Sequence, residues 1–221
     1  LIFHLFLLQK RMSLLSSLRW RYATKKFDVN KIIPVSDIEK IKTGFNLTAT
    51  SYGLQPVSLL IIQNKDIQKD LIPLSMDQKQ VGQASHLAIF CVKTSIDPSY
   101  VIDYFERIKN IRKTDDKVLA SFRANIIESF KQKSSEEIFL WGAKQAYLTM
   151  GNLLSLCADL RIDACPMEGF DPNAYDNYFD LRTKGLRSVL IMPMGYRAED
   201  DMFSKMKKVR KEISESVIEI H

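Results

Sequence analysis

Two short cationic segments stand near opposite ends of this sequence, Arg21-Tyr22-Ala23-Thr24-Lys25 and Lys207-Lys208-Val209-Arg210. Between them lies a segment punctuated by Pro and Gly, Cys165-Pro166-Met167-Glu168-Gly169-Phe170. Guanidinium and ammonium groups from separated stretches can close on one phosphate, and a turn broken by Pro and Gly leaves backbone N–H groups free beside it. Taken singly, an exposed Arg or Lys is most often solvated surface. The weight lies in the three segments together.

The elements that must bring these segments together follow from periodicity. Residues 13–22 read as a helix with Leu14, Leu15 and Leu18 on one stripe. Ser36-Asp37-Ile38-Glu39 reads as a capping box for a helix to about Leu47, with Ile38, Ile41 and Phe45 inward. Val57 to Ile62 is an almost unbroken apolar run, which predicts a strand covered on both faces. A short helix from about Lys65, a buried strand from Leu87 to Val92 and a strand from Ser188 to Met192 before Pro193 complete the inner part. Residues 98–133 are charged and amphipathic and predict two helices leaving the core, with Tyr104, Phe105, Phe122 and Phe130 as their apolar contacts. Ser134-Ser135-Glu136-Glu137 predicts the cap of a long helix to about Leu160, apolar nearly all round and so buried on every side by its own core or by a second subunit. Asp171-Pro172 opens another helix, and Val217-Ile218-Glu219-Ile220 alternates like an edge strand. The class is α+β, a helix-rich single domain around a central sheet.

At 221 residues, with 46% hydrophobic and 26% charged residues, the chain buries a real core and disorder is excluded. The net charge of +6 favours anionic ligands but is modest for a nucleic-acid binder, and no nucleic-acid motif accompanies it. Three cysteines, Cys91, Cys157 and Cys165, lack CxxC spacing and suit a reducing cytoplasm; the first two read as packing residues. His4, His86 and His221 have no metal-ligand spacing, so a zinc site is not expected. Residues 1–8 are apolar but too short to span a bilayer and lack the flanks of a signal peptide, so no membrane association is expected. Residues 1–11 are expected to be an upstream addition, with 12–221 as the domain. No GxGxxG, GxxxxGK[ST] or GxSxG motif occurs, and no Ser/His/Asp triad can be assembled. If the chain is an enzyme, a bound cofactor carries the reaction.

The residues carry a resemblance at this point. Arg21-Tyr22-Ala23-Thr24-Lys25-Lys26-Phe27-Asp28 resembles the opening of the FMN-dependent nitroreductase family. Thr50-Ser51-Tyr52-Gly53-Leu54-Gln55-Pro56, Ala84-Ser85-His86, Lys144-Gln145-Ala146-Tyr147, the 165–170 segment and Lys207-Lys208-Val209-Arg210 follow in the family's order. The likeness runs from Met12 to the C-terminus and is closest to the oxygen-insensitive NAD(P)H nitroreductase and dihydropteridine reductase branch. It implies an intertwined homodimer with a mainly antiparallel sheet and two FMN sites at the subunit interface. By the same match, Arg21, Ala23, Lys208 and Arg210 would hold the FMN phosphate and ribityl chain, with Tyr22 contributing backbone. Lys25 would reach the pyrimidine edge of the flavin, where a cation stabilises the negative charge of the reduced ring. Pro166, Met167, Glu168 and Gly169 would lie against the ring, the Glu168 N–H facing N5. Thr50, Ser51 and Gly53 would come from the other subunit.

Several positions depart from the family pattern. Gly53 stands where the closest branch has Asn, and Asp77 where Asn is usual; Gln80 stands where Lys or Gln is found and still offers a donor to the flavin. The aromatic gate of the substrate pocket aligns with Ile127. The implied activity is ping-pong reduction of a small-molecule electron acceptor (a nitroaromatic, quinone or pteridine) with NAD(P)H as reductant. Dehalogenation or flavin fragmentation on the same fold, and a non-enzymatic basic binding module, are the alternatives.

Overall fold

The protein was analysed as a computed structural model that describes residues 13–220, so the expected upstream addition at residues 1–11 lies outside the described residues. In chain order the helices are α1 (Leu14–Trp20), α2 (Val35–Asn46), α3 (Lys65–Asp70), α4 (Gln80–Gln83), α5 (Pro98–Arg112), α6 (Asp116–Lys131), α7 (Ser135–Asp159), α8 (Pro172–Tyr178) and α9 (Ile213–Ser216). The strands β1 (Val57–Ile62), β2 (His86–Lys93), β3 (Asp163–Ala164) and β4 (Leu186–Gly195) form one sheet of order β1-β2-β4-β3. Every pairing in it is antiparallel. The α+β class and the antiparallel sheet follow the expectation from the sequence.

The apolar run of β2 is explained by its place. Ala88, Phe90 and Val92 face one cluster, with Ile41 of α2 and Met150 and Leu153 of α7. Leu87, Ile89 and Cys91 face the opposite cluster, with Leu71, Phe170, Tyr175 and Leu181. A strand covered on both faces needs no polar alternation, and each such side chain contributes about 1.5–3 kcal/mol. In α7, Ile138, Gly142, Ala146, Met150, Leu153 and Cys157 recur at helical spacing and are buried. Its capping box forms as expected: the Ser134 hydroxyl accepts from the Glu137 N–H, and the Glu137 carboxylate accepts from the Ser134 N–H at 2.8 Å. Asp171 caps α8 by accepting from the N–H groups of Asn173 and Ala174. Helices α5 and α6 have a core of their own, built from Val101, Phe105, Ile126 and Phe130.

Four expectations need correction. Strand β1 is at the sheet edge, and the cover on its two faces is incomplete: Leu59 and Ile61 reach one cluster and Leu60 and Ile62 the other, but most of the strand is half-buried, because an apolar run does not encode which strand is central. Helix α2 starts two residues early, at Val35, and no side chain caps it; Pro34, with φ −57°, stands at the cap position and fixes the chain's approach instead. Strand β4 runs through Pro193 to Gly195, because β3 ends at Ala164 and the Pro193 carbonyl accepts from the Cys165 N–H at 3.1 Å. Residues 217–220 are exposed and outside any strand. Leu14, Leu15 and Leu18 are exposed, and the buried residue of α1 is Ser17. Helix α7 exposes Leu140, Tyr147 and Leu148 on one face. Phe122 is half-exposed but still meets Phe105, with ring centroids 5.7 Å apart. Among the described residues no helix is long and apolar enough to cross a membrane.

Candidate functional site

Helix α1 stops at Trp20, and Arg21 turns into extended backbone (φ −70°, ψ 147°) while its N–H still donates to the Ser17 carbonyl. The chain then runs beside the sheet: Ala23 bridges Ala164 and Phe27 bridges Arg197. From the other end of the sequence, residues 207–210 return as exposed, irregular chain. The Lys208 ammonium donates to the Arg21 carbonyl, across 187 residues of sequence. Burial lowers the pKa of the half-buried Arg21 guanidinium, and the nearby charge of Arg210 lowers it further. Lys208 is lowered by burial and then by Arg21, Arg210 and Arg197. The two cationic segments therefore meet.

Two buried carboxylates hold this region, and sequence reasoning missed both. Asp163 accepts from the Arg197 backbone N–H at 2.9 Å and from its guanidinium at 2.5 and 2.9 Å. The same guanidinium lies over Trp20 and Tyr22, 4.2 and 4.6 Å from the ring centroids. Asp201 accepts from the Tyr22 hydroxyl at 2.8 Å and from the N–H groups of Lys25 and Lys26 at 3.1 and 3.2 Å. Burial raises the Tyr22 phenol well above its ordinary value, and the bond to Asp201 adds to the rise. Asp201 closes an acidic run, Glu199-Asp200-Asp201, that reads as solvated surface; only its burial marks it out.

From the cations the site continues along one line. The Lys25 ammonium is 3.7 Å from Cys165 Sγ. Burial pushes the Cys165 thiol up, while Lys25 and Arg21 pull the other way. Met167 exchanges both backbone hydrogen bonds with Ile191 of β4, at 2.9 and 3.1 Å, which anchors the segment. The next two N–H groups, of Glu168 and Gly169, meet no protein acceptor among the described residues. Gln78 Nε2 donates to the Gly169 carbonyl at 2.7 Å, and Gln80 Nε2 donates to Gln78 Oε1 at 2.9 Å and lies 3.7 Å from Met167 Sδ. A cavity of about 390 Å³ opens beside this segment, lined by Tyr147, Met150, Leu154, Pro166, Met167 and Glu168. At its rim the Tyr147 hydroxyl donates to Glu168 Oε1 at 2.7 Å.

Thr50, Ser51 and Gly53 have other partners within the chain. The Ser51 N–H donates to Gln145 Oε1 of α7 at 2.8 Å, and Thr50 Oγ1 accepts from the Gln55 N–H at 3.0 Å. Gly53 has φ +74°, and a Cβ there would lie 2.2 Å from the Tyr104 hydroxyl. An Asn here would tolerate the left-handed backbone but would require the Tyr104 ring of α5 to move aside. Tyr52 lies 6.4 and 6.3 Å from the rings of Phe122 and Phe130, and the Tyr100 hydroxyl donates to the Leu54 carbonyl at 2.7 Å. Asp77 is exposed, beside Lys65, Lys69 and Lys79, and Ile127 packs into the α5–α6 cluster.

Residues 18–196 match the family model described as Nitroreductase family. The chain is 26% identical over 217 residues to the oxygen-insensitive NAD(P)H nitroreductase of Salmonella typhimurium, covering 95% of this chain and 100% of that one. It superposes on a nitroreductase-like protein from Streptococcus mutans with a TM-score of 0.82 at 22% identity, covering 94% of this chain and 98% of that one. A protein from Exiguobacterium sibiricum, solved in complex with FMN, gives a TM-score of 0.81 at 14% identity over 95% and 98% of the two chains.

Proposed function

This chain belongs to the nitroreductase family, and from that premise we propose that it is an FMN-dependent NAD(P)H oxidoreductase. It reduces nitroaromatics, quinones or pteridines in a ping-pong cycle, reductant and acceptor using one slot in turn. The observation that carries this reading is the meeting of Arg21, Lys208 and Arg210 at one end of a line that leads through Lys25 to two free backbone N–H groups. FMN, when bound, supplies a hydride acceptor and donor at N5.

The chain's own residues fit that group. Arg21, Lys208 and Arg210 hold the phosphate, with Ala23 and the backbone of Tyr22 along the ribityl chain. Arg197 is engaged by Asp163 and Lys26 by Asp200, whereas Arg21, Lys208 and Arg210 have no carboxylate ion-pair partner among the described residues and keep their charge for an anion. Lys25 would face the pyrimidine edge and stabilise negative charge there, while Gln80, whose amide is engaged by Gln78 and Met167, would have to exchange those partners to donate to the ring. Pro166, Met167 and Gly169 form the wall under the ring, and the Glu168 N–H donates at its reacting edge. The Glu168 carboxylate is engaged by Tyr147, which leaves the catalytic part to the backbone. Orientation of stacked rings in the slot then supplies most of the rate.

A homodimer completes the site. Leu14, Leu15 and Leu18 of α1 and Tyr147 and Leu148 of α7 are apolar and exposed in one chain, a surface that a second copy covers. In that assembly Thr50, Ser51 and Gly53 of one subunit reach the flavin of the other. The setting is the cytoplasm, without nucleic-acid or membrane partners.

The test is the visible spectrum of the purified protein, followed by NADPH and NADH under argon and then a quinone. A yellow protein that bleaches and recovers its colour is expected. A colourless protein that takes up no FMN refutes the reading.

A further inference from the structure

Asp201 is 3% exposed and accepts four hydrogen bonds. Oδ2 takes the Tyr22 hydroxyl and the Lys25 and Lys26 N–H groups, and Oδ1 takes the Phe203 N–H at 3.1 Å. Burial alone would raise this carboxyl, but the bonds from Tyr22, Lys25, Phe203 and Lys26 together hold it below the usual carboxylate range. All four donors are neutral, a hydroxyl and three amides. This sets Asp201 apart from Asp163, which binds the guanidinium of Arg197, and from Asp200, which binds the ammonium of Lys26.

The location gives the carboxylate a purpose. On one side it fastens the backbone that carries Arg21 and Lys25. On the other it caps the turn Met202–Lys205, from which the chain runs directly to Lys208 and Arg210. One buried anion thus fixes both halves of a cationic grip without neutralising any of its charges. By holding the Lys25 N–H, Asp201 fixes the point from which the four-bond side chain starts, and from there the ammonium reaches Cys165 Sγ at 3.7 Å.

We propose that Asp201 is the positioning residue that presents Lys25 and the two cationic segments to the flavin. The inference rests on the FMN reading above. It has a diagnostic sign, because removing a carboxylate near a flavin, if only its charge mattered, would make the flavin easier to reduce. Losing the placement of Lys25 makes it harder.

The experiment compares Asp201→Ala and Asp201→Asn with the wild type in FMN dissociation constant and flavin midpoint potential. Asp201→Ala is expected to weaken FMN at least tenfold and to move the potential negative. Asp201→Asn keeps one acceptor oxygen and moves both quantities the same way by less. In a Lys25→Ala background the negative shift of either variant is lost, and for both Asp201→Ala and Asp201→Asn it turns positive if the lost charge is felt, because the route through Lys25 has been removed. If Asp201→Ala does not fold, Asp201→Asn decides alone. With Lys25 present, an unchanged potential or a positive shift, or the same negative shift without Lys25, overturns the role of Asp201 while the FMN reading stands. Wild-type protein that binds no FMN overturns both.

Discussion

Replacing Arg21 by alanine removes a half-buried guanidinium that the free protein holds at some cost. Its pKa is displaced downward, chiefly by burial and further by Arg210, and these outweigh the opposing pull of Cys165, Cys157 and Asp163. Truncation therefore relieves repulsion as well as losing packing, and the apoprotein should melt within about 2 °C of the wild type, a fraction of a kcal/mol for a chain of this size. The ligand-bound protein behaves differently. A hydrogen bond to a charged group contributes about 1.5–3 kcal/mol net, and every 1.4 kcal/mol is tenfold in affinity, so the FMN dissociation constant rises roughly 10- to 150-fold. Arg210, which is exposed, has more of its charge screened, and Arg210→Ala weakens FMN by roughly fivefold. The assay is quenching of FMN fluorescence by apoprotein at two salt concentrations, with thermal melts of apo and loaded forms. The penalty for Arg210 shrinks at high salt more than that for Arg21. A dissociation constant within threefold of wild type, or equal losses of melting temperature in both forms, would show that Arg21 is structural and refute the reasoning.

Lys25→Ala is expected to slow flavin reduction by NAD(P)H about 10- to 100-fold while weakening FMN less, since the ammonium acts on charge that appears on reduction; stopped-flow rates equal to wild type argue against the role. Gly53→Ala forces a Cβ into a left-handed backbone 2.2 Å from the Tyr104 hydroxyl and 2.9 Å from its Cζ. It should cost roughly 1–3 kcal/mol in chemical unfolding. Tyr104→Phe should restore only part, because the backbone strain remains. Burial pushes Cys91 and Cys157 up to about 12, so at pH 8 roughly one molecule in ten thousand carries either thiolate. Iodoacetamide counted by mass should leave both unmodified in the native protein and modify them in urea.

The parts legible in the sequence were those whose pattern is local. The capping box at Ser134, the Asp171 cap, the two helices after residue 98 and the unbroken run of β2 each encode their own structure in adjacent residues. The run at Val57–Ile62 is as apolar as β2, yet lies at the sheet edge, because strand order is decided by what pairs with what. The exposed stripe of α1 has the same origin: periodicity marks an apolar face but not whether the same chain or another covers it. Of the site, the cations and the 165–170 segment announced themselves by residue type. Asp201, Asp163, Gln78 and Gln145 did not, because carboxylates and amides that bind backbone look like any polar surface residue until their burial and partners are known.

The loop from Thr50 to Gly53 is fastened to the α5–α6 pair through Tyr52, Tyr100 and Tyr104. The loop is also tied to α7 through the Ser51 N–H and Gln145, so it joins the helical pair to the helix that packs on the sheet. A substitution at the Phe122 or Tyr104 ring would therefore reach Thr50, Ser51 and Gly53 without touching Arg21, Lys208 or Arg210, disturbing the contacts proposed for this loop while leaving the phosphate grip in place. Fit around the ring and grip on the phosphate are thus set by separate parts of the fold.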